Sequence, residues 1–349
     1  MASNSRTSRP VTGAASRAAR KVTSIDVAKR AGVSQTTVSL VLSGKAVGRV
    51  SEATSEAVRR AARDLGYRPN AAARALRSGS AAAVGLVVRD VTHPFFGRTL
   101  RGAQRAAREM GHVVVLIDDN YGAALGDGSV EVLREGTVDG FLFFAADPPA
   151  SLRLPGAPPV VLVEVEQSRM PFVRLDVETG TDAALAHLHE LGHTDIGYLR
   201  SAVGGQTFDR RHARWVAHLE AHGLDPAAQV TAFSQFDAES TIAAGHAILA
   251  HPDRPSAVLC DDDILAAGLL SAAAALHIDV PGELAVVGFD DLDIARLTNP
   301  PLTTVRFDSE ALGAAAFELL YARLQGKRPR NRVLPSELII RGSTDPTAG

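Results

Sequence analysis

A single cysteine, Cys260, leaves no partner for an intramolecular disulfide in this 349-residue chain and excludes the cross-linked frameworks of secreted domains. Long apolar runs are also missing. The longest of note, Ile264 to Leu276, includes a glycine and a serine and falls short of the roughly 20 residues that cross a bilayer, so no membrane partner is expected. The first 20 residues hold arginine, serine and alanine without the apolar core of a secretory signal; a disordered basic arm over 1–20 of a cytoplasmic protein is the expectation. Catalytic signatures are lacking too: there is no G-x-S-x-G elbow, no G-x-x-x-x-G-K-[ST] loop and no dinucleotide-type glycine fingerprint after the first strand. Neither an enzyme nor a bound cofactor is expected.

The net charge of −2 conceals an uneven distribution. Residues 1–80 carry 15 Lys and Arg against four acidic residues, a net +11, whereas the remainder carries 22 against 35, a net −13. A basic head on an acidic body points to a polyanionic partner for the head alone, and the length fits two or three globular units.

In the head, VTSIDVAKRAGVSQTTVSLVL (22–42) places Ile25, Ala28, Val38 and Val41 at helical spacing and interrupts the run at Gly32-Val33. Ala28 allows close helix contact, Gly32 supplies a left-handed turn and Val38 buries the second helix on the first, the pattern of a helix-turn-helix. Ser34 is placed to cap the second helix. Gln35, Thr36 and Ser39 then share a polar face opposite Val38 and Val41, the face suited to a major groove. A third helix is expected from Ser51, with Val58, Ala61, Ala62 and Leu65 inward and Gly66 as its stop.

From residue 81 the pattern becomes apolar strands alternating with helices: 83–88, 113–117, 140–144, 160–163, 195–199, 256–260 and 283–289. Such runs predict parallel α/β sheets, and about 260 residues predicts two lobes with a ligand between them. Ligands of open α/β sheets collect at the carboxyl ends of strands. Those ends carry Arg89-Asp90 and His93 to Phe96, Thr207 and Arg211, Asp261 to Asp263, and Asp290-Asp291. Carboxylates converging with an arginine suit sugar hydroxyls, and the phenylalanines offer a stacking surface for a sugar face or a base.

Over roughly 22–344 these segments closely resemble the LacI/GalR family of bacterial repressors, through DVAKRAGVSQTTVSLVLSGK, VSEATSEAVRRAARDLGYRPNAAARALRSG, VGLVVRDVTHPFFGRTLRGAQRAAREMGHVVVLID, PSAVLCDDDILAAGLLSA and VPGELAVVGFDDLDIARLTNPPLTTVRFDSEALGAAAFELL. The resemblance implies an all-α helix-turn-helix head of three helices plus a hinge helix, followed by an α/β periplasmic-binding-protein-like body of two parallel-sheet lobes. The implied divisions are a DNA-binding domain over 21–69, a hinge helix and linker over 70–80, a body over 81–344 and a tail over 345–349. Lobe 1 would comprise 81–175 and 306–328, and lobe 2 would comprise 176–304 and 332–344. Chain crossings are then expected near Leu175 to Val177, Thr304 to Phe307 and Arg328 to Val333.

The implied function is a homodimeric regulator, a repressor of sugar-uptake or catabolic genes, that reads palindromic double-stranded operator DNA under control of a small-molecule effector, with a neutral sugar favoured by the acid-rich cleft; the alternative is a corepressor-responsive regulator that binds a purine or a sugar phosphate. Gln35, Thr36, Ser39 and Leu40 would face the major groove, and Thr23, Ser34, Thr37 and Ser51 the phosphates. Ala73, Leu76 and Arg77 of the hinge would enter the minor groove, with Leu76 as an apolar wedge. Effector contacts carry over to Phe95, Phe96, Thr207, Arg211, Asp262 and Asp290. Leu76→Ala is expected to weaken specific DNA binding more than non-specific binding, a comparison that parallel titrations of operator and random duplex make directly; equal losses would contradict the wedge.

Four positions depart from the family pattern. Leu40 stands where many members place arginine, and leucine cannot read guanine as arginine does. Asp262 replaces an asparagine, His93 an asparagine before PFF, and Arg89 a proline. Of the remaining candidates for metal, Asp261 is expected to face solvent, and His187, His189, His193, His218 and His222 are expected to be structural or superficial, so no metal is predicted.

Overall fold

The computed structural model describes residues 22–42, 44, 46–67, 80–118, 137–145, 148, 150–166, 170–345 and 347. The basic arm and the hinge positions Ala73, Leu76 and Arg77 lie outside them. The chain divides into two separate units between residues 77 and 78.

The head contains α1 (Ser24–Ala31), α2 (Gln35–Leu42) and α3 (Glu52–Asp64). Thr23 and Asp26 form a reciprocal capping box at the start of α1, with Thr23 N donating to Asp26 Oδ2 at 2.9 Å and Asp26 N to Thr23 Oγ1 at 3.4 Å. Gly32 ends that helix at φ +67°, a left-handed turn that lets α2 start three residues later. Ser34 Oγ accepts from Thr37 N at 3.1 Å and Ser51 Oγ from Thr54 N at 3.2 Å, so the two later helices are also capped. Val27, Ala28, Val38, Val41, Ala46, Val58, Ala61 and Ala62 close the core. Ile25 is half exposed, contrary to its helical spacing; Val27 holds the inward position instead.

The body has two six-stranded sheets. In the first the order is β11-β5-β4-β3-β1-β2, from Arg332–Leu334, Phe172–Leu175, Val160–Val163, Phe141–Phe144, Ala83–Val88 and Val113–Asp118. In the second the order is β12-β10-β9-β8-β6-β7, from Ser336–Ile339, Thr303–Phe307, Ala285–Phe289, Ala257–Cys260, Ile196–Ser201 and Thr231–Ser234. Strands β1, β3, β4, β8 and β9 are wholly buried apolar runs, as strands covered on both faces must be. Five strands, β5, β7, β10, β11 and β12, escape sequence reading because Arg, Thr, Ser or Glu interrupts their apolar runs. One of them, β12, runs antiparallel to β10, so the second sheet is parallel except at that edge.

Helices α4 (Pro94–Glu109) and α9 (Ser309–Leu324) belong to the first lobe; α5 (Val177–Glu190), α6 (Gln206–Ala221), α7 (Ala238–Leu249) and α8 (Asp263–Ala275) belong to the second. The chain crosses between lobes at Asp176, between Phe307 and Asp308, and at Pro335. The third crossing lies beyond the expected 328–333 because Arg332–Leu334 pair with Phe172–Leu175 in lobe 1. The second lies beyond 306 because Arg306 and Phe307 pair with Glu337 and Ser336 in lobe 2. Two of the crossings are tied together, since Asp176 N donates to Leu334 O at 2.7 Å and Ser336 Oγ to Asp176 O at 2.8 Å.

Helix α4 meets α9 backbone to backbone. A Cβ on Gly102 would fall 1.9 Å from Glu310 O, and one on Gly313 would fall 1.9 Å from Thr99 O. Gly102→Val must therefore push the helices apart. The expected destabilisation is about 1–3 kcal/mol, the usual range for an overpacked core, and urea unfolding measures it. An unchanged midpoint would mean that the crossing yields without cost.

Candidate functional site

On the head, Gln35 and Thr36 are exposed at the start of α2, while Ser39 and Leu40 are half-buried one turn on. Gln35 Nε2 donates to Ser24 Oγ at 2.9 Å, which holds the amide against α1. The phosphate candidates occupy the starts of the three helices: Thr23 at α1, Ser34 and Thr37 at α2, Ser51 at α3. Helix N-termini present N–H groups and positive dipole ends, the chemistry that phosphate oxygens require.

In the body, a cleft of about 720 Å³, counted out to its open mouth, lies between the lobes. The structure brings all six residues expected there, Phe95, Phe96, Thr207, Arg211, Asp262 and Asp290, to its wall. Phe95 and Phe96 open α4 and meet Phe144 edge to face, at 5.9 and 4.8 Å between centroids. Thr207 and Arg211, one turn apart on α6, face them from lobe 2. Asp262 caps α8 by accepting from Ile264 N at 2.6 Å, and Asp290 follows β9.

Arg211 is 3% exposed. Its Nη1 donates to the carbonyl of Asp261, Nη2 lies 3.7 Å from Asp290 Oδ1, and the guanidinium sits 4.1 Å from the Phe289 ring centroid. Arg211 Nε is buried without a hydrogen-bond partner. Such an orphaned donor at the cleft wall is a position from which a ligand oxygen would gain a bond.

Several polar contacts bridge the lobes, among them Arg98 Nη2 to Asp293 Oδ1 at 2.6 Å and Glu166 N to Gln206 Oε1 at 2.9 Å, and four of them lie at or beside the cleft. His93 Nε2 lies 3.1 Å from Asp262 Oδ2, Thr207 Oγ1 donates to Glu164 Oε2 at 3.0 Å, Arg89 Nη1 to Gly204 O at 2.6 Å, and Arg98 Nη1 to Asp291 O at 2.9 Å. Burial alone would lower the His93 pKa, but the charge and hydrogen bond of Asp262, with Asp290 and Asp90 beyond, raise it. Burial likewise works to raise Asp262, and the His93 charge, its hydrogen bond and the bond from Asp290 outweigh it and hold Asp262 low. Asp290 takes the opposite course: burial and the neighbouring Asp262 charge push it up to about 8, against the pull of Arg211. At neutral pH the two carboxyls thus share a proton, with Asp290 as donor.

These states revise the expectation of an acidic cleft. Asp290 is protonated, burial raises Glu164 as well, and Asp262 is neutralised by His93. What remains is a wall of aromatic carbon carrying alternating hydrogen-bond donors and acceptors. Asp262 is also less free than an isolated carboxylate, because each oxygen already accepts one bond.

Residues missed from the sequence complete the wall. Glu164 follows β4 and Phe144 closes β3, both at strand ends; Phe208 lies on α6, and Phe236 follows β7. Backbone geometry marks the same places: Ala145 (φ +49°), Glu164 (φ +62°) and Asp290 (φ +100°) adopt left-handed conformations at three strand ends. Each costs roughly 1–3 kcal/mol in a non-glycine residue and concentrates where binding sites are built.

Two matches with protein families accompany this geometry. Residues 24–70 match the bacterial regulatory proteins of the lacI family, and residues 185–344 match a periplasmic binding protein-like domain. The HTH-type transcriptional repressor PurR of Pectobacterium carotovorum subsp. carotovorum (strain PC1) is 32% identical over 316 residues, covering 88% of this chain and 92% of PurR. The chain belongs to the LacI family. It is a DNA-binding transcriptional repressor, of a class that is not enzymatic. Among solved structures, the lac repressor dimer bound to operator and the anti-inducer ONPF is similar with a TM-score of 0.81 and 26% identity, covering 93% of this chain and 99% of that one. The transcriptional regulator CelR in complex with cellobiose has a TM-score of 0.68 and 29% identity, covering 93% of this chain and 100% of that one.

Other candidate residues of this LacI-family chain take structural places. Asp261 is fully buried rather than solvent-facing, accepting from Tyr198 OH at 2.6 Å and Ser201 N at 2.8 Å. Asp263 accepts from Leu292 N at 2.7 Å and Thr304 Oγ1 at 2.6 Å, tying α8 to the segment after β9. His187 and His193 pair with the hydroxyls of Thr344 and Ser256 at 2.8 and 2.9 Å. His189 instead turns toward His218 on α6 and His222 at its C-terminal cap. No described helix is long and apolar enough to cross a membrane.

Proposed function

We propose that this repressor acts in the cytoplasm as a homodimer on a palindromic operator, with a neutral sugar held between the lobes as its effector. The observation that carries the reading is the convergence of Phe95, Phe96, Thr207, Arg211, Asp262 and Asp290 on one cleft that polar contacts bridge. Aromatic faces would stack on the apolar face of a sugar ring, the oxygens of Asp262 and the non-donating oxygen of Asp290 would accept from its hydroxyls, and Arg211 Nε would donate. The sugar-bound CelR relative supports this ligand class, and the lac repressor dimer on its operator supports dimeric DNA reading. Edge strand β2 leaves Val113, Val115 and Leu116 exposed, an apolar strip of the kind that subunit contacts cover.

Repression would be switched by a population shift. A ligand that bonds both lobes favours one interlobe arrangement, alters where the two chains leave the dimer toward the DNA, and so changes operator affinity. The test is calorimetric titration of the full chain with neutral sugars, sugar phosphates and purines, with Trp215 fluorescence as a second readout. A saturable neutral-sugar signal is expected; binding of purines or sugar phosphates alone would replace the sugar reading with a corepressor of that class.

A further inference from the structure

At the far end of α5 and α6 from the cleft, His189, His218 and His222 gather in one cluster. His218 lies in the last turn of α6 and His222, four residues on, is the cap that ends it, so the two fall on one side of the helix end, and His189 reaches them from the last turn of α5. The ring centroids of His222 lie 4.1 Å from those of His189 and 4.3 Å from those of His218, and one nitrogen from each ring falls within 4.8 Å of the other two. His222 and Arg211 are eleven residues apart on and just beyond the same helix, about 16 Å along its axis at 1.5 Å per residue. The cluster is therefore separate from the effector cleft.

We propose that His189, His218 and His222 form a binding site for a divalent transition ion, Zn²⁺ in the first instance, that clamps α5 to α6. Three features of the cluster match what such an ion requires. His218 Nε2 is buried without a hydrogen-bond partner, so no existing bond has to break for it to serve as a ligand. His222 Nδ1 lies 2.7 Å from His218 O; donation to that carbonyl fixes its tautomer and leaves the lone pair on Nε2, the arrangement in which a backbone carbonyl orients a metal-ligating histidine. Each of the three rings offers one nitrogen within 4.8 Å of the other two, so a single ion can reach all of them.

The frame is also held in place. Arg214, one turn before His218, donates to both oxygens of Asp182 on α5 at 2.6 and 2.8 Å, which pins the two helices one to two turns below the cluster. Zinc bound tetrahedrally by imidazole at about 2.0–2.1 Å needs its nitrogens roughly 3.4 Å apart, so closing the cluster takes side-chain rotation rather than helix movement. A set of three imidazole nitrogens selects zinc, nickel or copper over calcium or magnesium, which prefer oxygen. Because His189 and His222 are exposed, solvent can complete the coordination shell.

The experiment titrates the tag-free full chain with ZnCl₂ against a chromophoric chelator, and with Co²⁺ followed by its visible absorption. One ion per chain is expected, with His218→Ala and His222→Gln each weakening Zn²⁺ affinity at least tenfold and removing the Co²⁺ bands. His246→Ala, on α7, serves as the control and should leave both unchanged. Circular dichroism separates loss of the site from loss of the fold, and His222→Gln alters an exposed position. Binding below one ion per chain, or equal affinity in the native chain and a folded His218→Ala, His222→Gln double variant, would overturn the site.

Discussion

Arg211→Ala is expected to abolish ligand binding in the cleft while leaving the DNA-reading head intact. The arginine enters from α6, and its guanidinium simultaneously holds the Asp261 carbonyl, approaches Asp290 and lies on the Phe289 ring. Removing it takes away the orphaned Nε donor and leaves a hole beside buried polar atoms. Truncating one member of a buried polar pair typically costs about 3–5 kcal/mol, and protonation of Asp290 places this case at the lower end, about 3 kcal/mol. Urea unfolding followed through Trp215, one turn along α6, measures the stability loss; calorimetry measures the ligand. The head is a separate unit, so its affinity for DNA should remain within about twofold of the native chain. Retained ligand binding in a folded Arg211→Ala protein would remove this residue from the site.

The second large effect is on pH. In the native chain Asp290 keeps its proton up to about pH 8, whereas an unfolded aspartate releases it near pH 3.9, so between those values the folded state binds the extra proton. Stability therefore falls as pH rises through that window, by as much as about 1.4 kcal/mol per pH unit from this group alone. His93 works in the same direction: its raised pKa gives stability that is complete below the ordinary histidine value and lost as pH climbs through the folded value. Asp262, held low, has the opposite sign, but its contribution is lost only in acid. The urea midpoint at pH 6 should accordingly exceed that at pH 8.5. Asp290→Asn imitates the protonated acid and tolerates the positive φ, so it should remove the larger part of the difference. An undiminished difference in that variant would place the effect elsewhere.

The helix-turn-helix was legible because its signals are local: Gly32 in the turn, Ser34 and Ser51 as caps, Val38 and Val41 inward. Ile25 misled because spacing alone does not separate it from Val27, and only packing against α2 and α3 chooses the inward residue. The strand-end segments read from sequence contain the six residues that the family resemblance singled out, and all six line the cleft, yet the reading passed over Glu164 and Phe144 at the ends of β4 and β3 and over Phe236 behind the unrecognised β7. The left-handed backbone at Ala145 and Glu164 has no sequence signature, since neither is a glycine. Asp261 was misread for a tertiary reason, because the Tyr198 hydroxyl and Ser201 N–H that satisfy it come from another strand. The same holds for His189, whose neighbours become visible only when α5 docks on α6. Charge counting also overstated the acidity of the cleft, because proximity of Asp262 and Asp290 is what keeps one of them protonated.

The central claim is that the cleft and the DNA-reading head are coupled through a dimer. Fluorescence anisotropy of a palindromic operator duplex, selected from genomic fragments by the full chain and titrated at fixed salt, tests it most directly. The account predicts two chains per duplex and an operator affinity that the cleft ligand shifts by about 5- to 150-fold, the range of a coupling free energy of 1–3 kcal/mol. Arg211→Ala should bind the same duplex without that shift. A ligand that saturates the cleft by calorimetry yet leaves operator affinity unchanged would contradict the account.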